Sequence, residues 1–480
     1  MAAFELSQFP PEHAGISSAS LLRFIDRLEE RQLAMHSFII VRHGSIAAEA
    51  YWAPYTETSL HRMYSVSKSL TSIAVGLACE EGYFRLDDPI MKYFEDKVIR
   101  QPHPYTLKMT IRDVLKMTTV HTKTATQIAP HPDMLKAFFN VTPSHAPGTV
   151  FNYDTSGSIT LAALVERVTG MPLLDYLRGK LLDKIGFSEN ARWLKNGSYT
   201  DGGGGLLCTS RDLAKLGLLC LQQGRWFGFQ LLPKEYMKQA TSKHVSTNYA
   251  QPGHGSFGYG YQFWMTEHDG FCMYGMGGQL VICLPKEDLV VVTTADTQAN
   301  PGGIDHVFNS FWDTVYADLK DDAVPIVEED ARALSERIAG LSVRSVKGAF
   351  DSPIQRDIGG KRFQLDENAS RLRSVTVGFG GGYGTLQYET AEGPGEIRFG
   401  FGTNIRQMFP DPRLECLASG AWVDPETLFI RVYITDDNLG SLDMILHFGN
   451  DGSLTVESRA FGDSHLGSGW DACVTGFVYD

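Results

Sequence analysis

Two groups of β-strand signals stand far apart in this chain, with a long helical stretch between them. Ser37-Phe38-Ile39-Ile40-Val41 and Ala47-Ala48-Glu49-Ala50-Tyr51-Trp52 flank a turn at His43-Gly44 and read as a β-hairpin. Strand signals return at Phe271 to Tyr274, Gln279 to Leu284 and Leu289 to Thr294, with Pro285-Lys286-Glu287-Asp288 as a turn, and a helix pattern from Ile304 to Leu319 follows. Strands at both ends and helices between them predict one antiparallel sheet assembled from distant sequence, with a helical region inserted, an α+β class. Beyond Asp321-Asp322-Ala323-Val324-Pro325, which reads as a linker, the pattern changes. From about Ile354 the chain alternates in short strands punctuated by glycine, such as Arg373 to Val377, Thr427 to Tyr433, Met444 to Phe448 and Ser453 to Val456. That spacing predicts a small all-β barrel or sandwich. A chain of 480 residues exceeds the usual size of one hydrophobic core, so we place one domain at residues 1–325 and a second, β-rich one at 326–480.

Within the helical stretch, Leu70, Ile73, Ala74 and Leu77 follow a 3.6-residue period from Val66 until Gly82 closes the pattern. Ser65-Val66-Ser67-Lys68 therefore opens a buried helix and sets a hydroxyl and an amine one turn apart on the same face. A serine hydroxyl is a weak nucleophile until a neighbour takes its proton, and the helix N-terminus adds partial positive charge near a developing oxyanion.

Composition narrows the chemistry. With 43 Lys+Arg against 56 Asp+Glu the formal charge is −13, and no basic run stands out, which disfavours nucleic acid and anionic membrane surfaces as partners. The sequence shows no leader pattern at Met1-Ala2-Ala3-Phe4-Glu5-Leu6 and no apolar run of about 18 residues, so a soluble, cytoplasmic protein is expected. The seven cysteines are scattered through mostly apolar stretches and read as reduced core residues; the fourteen histidines form no metal-binding spacing. No cofactor and no metal are expected.

Two further segments complete a candidate site. Phe151-Asn152-Tyr153-Asp154-Thr155 follows the Pro147-Gly148 turn and precedes a helix, and a tyrosine near a lysine can serve as a general base toward a serine. Tyr274-Gly275-Met276-Gly277-Gly278-Gln279 is a glycine-rich entry to a strand, where a substrate can lie against backbone and an N–H can face an oxyanion. The order Ser-x-x-Lys, Tyr-x-Thr, glycine-rich strand resembles that of the serine beta-lactamase and penicillin-binding-protein superfamily, in particular its class C-like hydrolases, which include esterases, D-amino-acid peptidases and acyltransferases, so hydrolysis or acyl transfer is the expected reaction. Asp113 to Thr119, Gly203 to Ala214, Phe257 to Trp264 and Asp288 to Val292 resemble further segments of that family, over roughly residues 10 to 320.

The resemblance implies that Ser65 is the acylated nucleophile, that Lys68 assists its deprotonation and that Tyr153 shuttles the proton. It implies an oxyanion hole from the backbone N–H groups of Ser65 and Gln279, beside Gly277 and Gly278. Two positions depart from the penicillin-active pattern: Thr155 stands where the family has asparagine, and Met276 where it has a lysine or histidine. Methionine cannot pair with a substrate carboxylate, so a small-molecule ester or amide without a recognised carboxylate is the expected substrate. The alternatives are a D-amino-acid peptidase or penicillin-binding activity, and a catalytically silent ligand-binding protein. Phe257, Tyr259, Tyr261, Phe263 and Trp264 suit either an acyl pocket or core packing; His121, His131 and His145 read as solvated loop residues. The C-terminal strands resemble the lipocalin-like appendages of some family members, and a homo-oligomer is compatible with such a module.

Overall fold

The structure, a computed structural model, describes residues 5–251, 253–410, 412–462, 466 and 470–479. It divides into two compact units. The first holds the residues up to Arg31, Met35–Ala295 and Ile304–Leu341; the second holds Gln32–Ala34, Asp296–Gly303 and the chain from Ser342 onward.

The first unit is built on a six-stranded sheet. Its strands are β1 (Ala34–Arg42), β2 (Ser45–Tyr51), β3 (Trp264–Met265), β4 (Phe271–Gly275), β5 (Gln279–Leu284) and β6 (Leu289–Asp296), in the order β3-β4-β5-β6-β1-β2. The expected distant pairing is therefore present: β6 lies beside β1 although more than half the chain separates them. Hairpins fix the register, with Phe38 opposite Ala50, Tyr274 opposite Leu280 and Ile282 opposite Val291. Every residue of β1, β5 and β6 is buried, because helices cover both faces. On one face α1 (Ser18–Glu30) sets Phe24 edge-on to Phe38 at 5.4 Å, and the C-terminal helical turn adds Phe311. On the other face lie the inserted helices, chiefly α2 (Val66–Glu80), α3 (Thr155–Thr169) and α4 (Ser210–Leu221). Gly217 of α4 has no room for a side chain: a Cβ there would stand 2.5 Å from Val290 and 2.7 Å from Val281. None of the described helices is long and apolar enough to cross a membrane.

Asp321–Pro325 precedes one more helix of this unit, α5 (Glu328–Ala339), whose Arg337 bonds Glu29 of α1 at 2.5 Å. Sequence periodicity gives little sign of it, since only Leu334 of its twelve residues is buried.

The second unit is a β-barrel. Its strands are β7 (Arg362–Leu365), β8 (Ser374–Gly380), β9 (Tyr383–Glu389), β10 (Pro394–Phe401), β11 (Ile405–Met408), β12 (Glu415–Asp424), β13 (Thr427–Ile434), β14 (Gly440–Phe448), β15 (Ser453–Gly462) and β16 (Ala472–Val478). Antiparallel pairing runs β10-β9-β8-β7-β16-β15-β14-β13-β12, and a short parallel pairing of β10 with β12, Gly400 opposite Ser419, closes nine strands into a ring. Alternate residues such as Val375, Val377, Leu442, Met444, Leu446 and Val456 fill the interior, the period-two pattern a closed sheet requires.

Candidate active site

The nucleophile candidate sits on a strained turn. Tyr64 holds φ at +45°, a region that non-glycine residues enter at a cost, and Ser65 follows directly as the N-cap of α2. The Met63 N–H donates to the Leu206 carbonyl at 2.7 Å, while the N–H groups of Val66 and Ser67 close onto Met63 and Tyr64 at 3.1 and 2.9 Å. Ser65 makes no side-chain cap bond with its own helix, unlike most N-cap serines, so its hydroxyl is available for chemistry.

Lys68 donates from Nζ to Ser65 Oγ at 2.9 Å, the contact that the i, i+3 spacing predicts. The lysine is 1% exposed, and a buried ammonium needs partners. Its second partner is the Gly203 carbonyl at 2.6 Å. That carbonyl reaches the site because the 202–205 loop is pressed between α2 and α3. A Cβ on Gly203 would stand 2.5 Å from the Thr155 methyl, and one on Gly202 2.5 Å from the Ala162 Cβ. The role of Gly203 is one that sequence reasoning missed, although the glycine run was conspicuous.

Tyr153 is half-buried, with Lys68 Nζ 5.0 Å from its ring centroid and the Trp264 ring stacked on it at 5.5 Å. Its backbone is tied down on both sides. The Asn152 N–H donates to the Met117 carbonyl at 2.9 Å, and the Asp154 N–H to Met117 Sδ at 3.3 Å. Asp154 caps α3 by accepting from the Ser156 N–H at 3.0 Å. Thr155, the first residue of α3, donates its N–H to Thr124 Oγ1 at 3.1 Å and turns its methyl toward Gly203. Two other tyrosines lie close by, and burial pushes the hydroxyls of both Tyr259 and Tyr274 well above their ordinary range.

The third segment meets the nucleophile turn through Gly275. A Cβ there would lie 2.4 Å from the Met63 carbonyl, so glycine lets the end of β4 press against the backbone leading to Ser65. Met276, Gly277 and Gly278 form a tight turn with φ of +80° and +98° at the two glycines, and Gln279 begins β5 opposite Gly275. The Gln279 side chain is fully buried and donates to the Met276 and Ala295 carbonyls at 2.9 and 2.7 Å. These bonds brace the turn.

The aromatic stretch packs into two buried clusters. Tyr261 and Phe263 belong to the main core, whereas Tyr259 and Trp264 join Met117 and Phe151 in a separate cluster against Tyr153. One histidine expectation is overturned. His121 is 1% exposed, not solvated, and its Nδ1 bonds Asp154 Oδ2 at 2.9 Å, because the loop carrying it runs beneath α3. His131 is exposed, as a loop residue should be, and His145 is half-buried. Among the described residues no group of three or more His, Cys, Asp or Glu side chains is placed to hold a metal.

His61, just upstream of the nucleophile turn, stacks with His36 at 5.4 Å and lies 5.0 Å from the Tyr55 ring. Both imidazoles are buried, and His61 Nε2 and His36 Nδ1 have no hydrogen-bond partner among the described residues. Burial pushes His61 from 6.5 down to about 4, and His36 is lowered in the same direction by burial and by His61. A folded-state value below the unfolded one means that the stability His61 contributes is complete above pH 6.5. It is lost as pH falls through about 4, by on the order of 3 kcal/mol in the limit. His61→Phe is expected to keep the stacking and flatten the fall in melting temperature between pH 6.5 and pH 4; an unchanged slope would show that other groups govern acid lability.

A serine on a strained turn at a helix N-terminus, a buried lysine bonded to it and a tyrosine over that lysine are set in a beta-lactamase-type fold. The beta-lactamase family model matches residues 23–306, and the chain belongs to that family. It is 26% identical over 288 residues to the 6-aminohexanoate-dimer hydrolase of Paenarthrobacter ureafaciens, across 55% of this chain and 73% of the relative. The fold is similar to a candidate 6-aminohexanoate-dimer hydrolase from Bacillus anthracis, with TM-score 0.53, 22% identity, and coverage of 66% of this chain and 88% of that one. It is also similar to EstCE1, a hydrolase with promiscuous acyltransferase activity, with TM-score 0.51, 17% identity, and coverage of 62% and 100%. These relatives are hydrolases.

Proposed function

We propose that this chain is a serine hydrolase that cleaves an ester or an amide lacking a recognised carboxylate, through an acyl-Ser65 intermediate. The observation that carries the reading is the Ser65–Lys68–Tyr153 arrangement: Nζ stands 2.9 Å from Oγ and 5.0 Å from the tyrosine ring centroid. With Lys68 donating to Oγ, the serine's own proton is directed away from the lysine, and Tyr153, acting as its phenolate beside the Lys68 cation, takes it as Oγ attacks the carbonyl carbon. The oxyanion then accepts from the backbone N–H groups of Ser65 and Gln279, each worth on the order of 3 kcal/mol to the transition state. Tyr153 returns the proton to the leaving alcohol or amine as the acyl bond to that group breaks. Water, or another hydroxyl or amine acceptor, then loses its proton to Tyr153 and attacks the acyl carbon, and Ser65 leaves as its hydroxyl.

Substrate class follows from Met276 and Thr155. Neither offers a cation, so neither of these two positions supplies a charge partner for a penicillin or peptide carboxylate. The test is a panel of a short-chain activated ester, a neutral linear amide, a 6-aminohexanoate dimer and a penicillin, compared by kcat/KM. The ester and neutral amide are expected to be cleaved at least about tenfold faster than either carboxylate-bearing compound, the factor that one lost charge-assisted contact supplies. Fastest turnover of the penicillin or the dimer would overturn the substrate class and point to a peptidase-like activity.

A further inference from the structure

The serine–lysine pair opens α2 and the tyrosine lies just ahead of α3, so chemistry at Ser65 requires the two helices to hold a fixed register. We propose that Gln262 is the positioning residue that sets this register; the inference rests on the reading of Ser65 as the acylated nucleophile.

Gln262 lies between two core aromatics, Tyr261 and Phe263, yet it is a polar residue only 2% exposed, with φ at +63°. Glycine would adopt that backbone without strain. What glycine lacks is the side chain, and every polar atom of this one is engaged. Oε1 accepts from the Ser158 hydroxyl of α3 at 2.6 Å, and Nε2 donates to the Leu115 and Val114 carbonyls at 2.9 and 3.2 Å. The main chain completes the knot: its carbonyl accepts from the Ser69 hydroxyl of α2 at 2.6 Å, and its N–H donates to the Leu115 carbonyl at 3.1 Å.

Each of these bonds leads to a reacting group by one short step. Ser69 adjoins Lys68, and Ser158 lies one turn into the helix that Tyr153 precedes. Leu115 stands two residues before Met117, whose carbonyl and sulfur hold the main chain on either side of Tyr153 at 2.9 and 3.3 Å. Trp264, two residues after Gln262, stacks on the Tyr153 ring. Ser69 and Ser158 are themselves buried, so water cannot replace a lost bond without new space. Gln262 touches neither Ser65 nor Tyr153 in any described contact, and it acts through them. A misplacement of about 1 Å between reacting groups costs about a hundredfold in rate.

The test compares Gln262→Met, close in volume and without polar side-chain atoms, in the wild-type and Tyr153→Phe backgrounds. The rate of Ser65 acylation by a saturating activated ester is read from intact mass against time, with KM and melting temperature measured alongside. In the wild-type background the maximal acylation rate is expected to fall about 10- to 100-fold with KM changed less than about threefold. In the Tyr153→Phe background the same substitution is expected to cost less than about threefold, because the aligned base is already gone. An equal fold-loss in both backgrounds, or a wild-type rate in Gln262→Met, would overturn the proposal, since loss of folded protein alone acts identically in both. If Gln262→Met does not fold, Ser158→Ala, which deletes only the Oε1 partner, carries the same comparison with the same criteria. A wild-type protein that is never acylated would instead overturn the nucleophile reading, and this inference with it.

Discussion

Ser65→Ala is expected to lower ester hydrolysis by roughly 10⁴-fold or more, leaving only what binding and oxyanion stabilisation supply without a nucleophile. The same substitution should hardly disturb the fold. Ser65 makes no cap bond with its helix, and Lys68 keeps the Gly203 carbonyl at 2.6 Å when the hydroxyl is gone. The melting temperature is therefore expected to stay within about 4 °C, a shift of about 1 kcal/mol in a domain of this size. Rates measured alongside melting curves separate the two effects. Retention of more than about a tenth of the activity would mean that another group attacks the carbonyl, whatever the geometry at Ser65.

Tyr153→Phe is expected to reduce the acylation rate by about 10²- to 10⁴-fold, the range for loss of a general base. The ring does structural work that phenylalanine preserves: it stacks on Trp264 at 5.5 Å and lies 5.0 Å from Lys68 Nζ. Only the hydroxyl is removed, so binding of an apolar ester should change little and the loss should fall on kcat. Tyr259 and Tyr274 do not substitute, because burial holds their hydroxyls protonated. Pre-steady-state acylation of the two proteins gives the comparison directly. A Tyr153→Phe enzyme within about threefold of wild type would move the base role to Lys68.

The reach of the sequence differs between local and long-range features. Ser65 and Lys68 were legible because a helix period fixes their separation, and the structure returns the contact at 2.9 Å. The strand groups near residues 40 and 280 were legible as one sheet because strands stand at both ends of a helical stretch. Two of the family-like segments also have a local cause: Thr110 with Asp113, and Thr209 with Asp212, form capping boxes at helix starts. Close approach between distant segments was not legible. Gly203 and Gly275 are glycine because of what lies opposite them, the Thr155 methyl and the Met63 carbonyl, and no periodicity encodes that. His121 misled for a related reason. Most of its neighbours in sequence are polar, but its neighbour in space is the buried carboxylate of Asp154. In the barrel, alternation announced the strands, while closure depends on the parallel meeting of Gly400 with Ser419, which alternation leaves unspecified.

The chemistry turns on whether an acyl group becomes bonded to Ser65. Incubation with a short-chain activated ester, acid quench within the first turnovers and peptide mapping by mass locate that bond. The account predicts one acyl adduct per chain, on the peptide that contains Ser65, absent from Ser65→Ala and slow to form in Tyr153→Phe. An adduct on any other residue, or ester turnover with no adduct on wild-type protein during the burst, would contradict it.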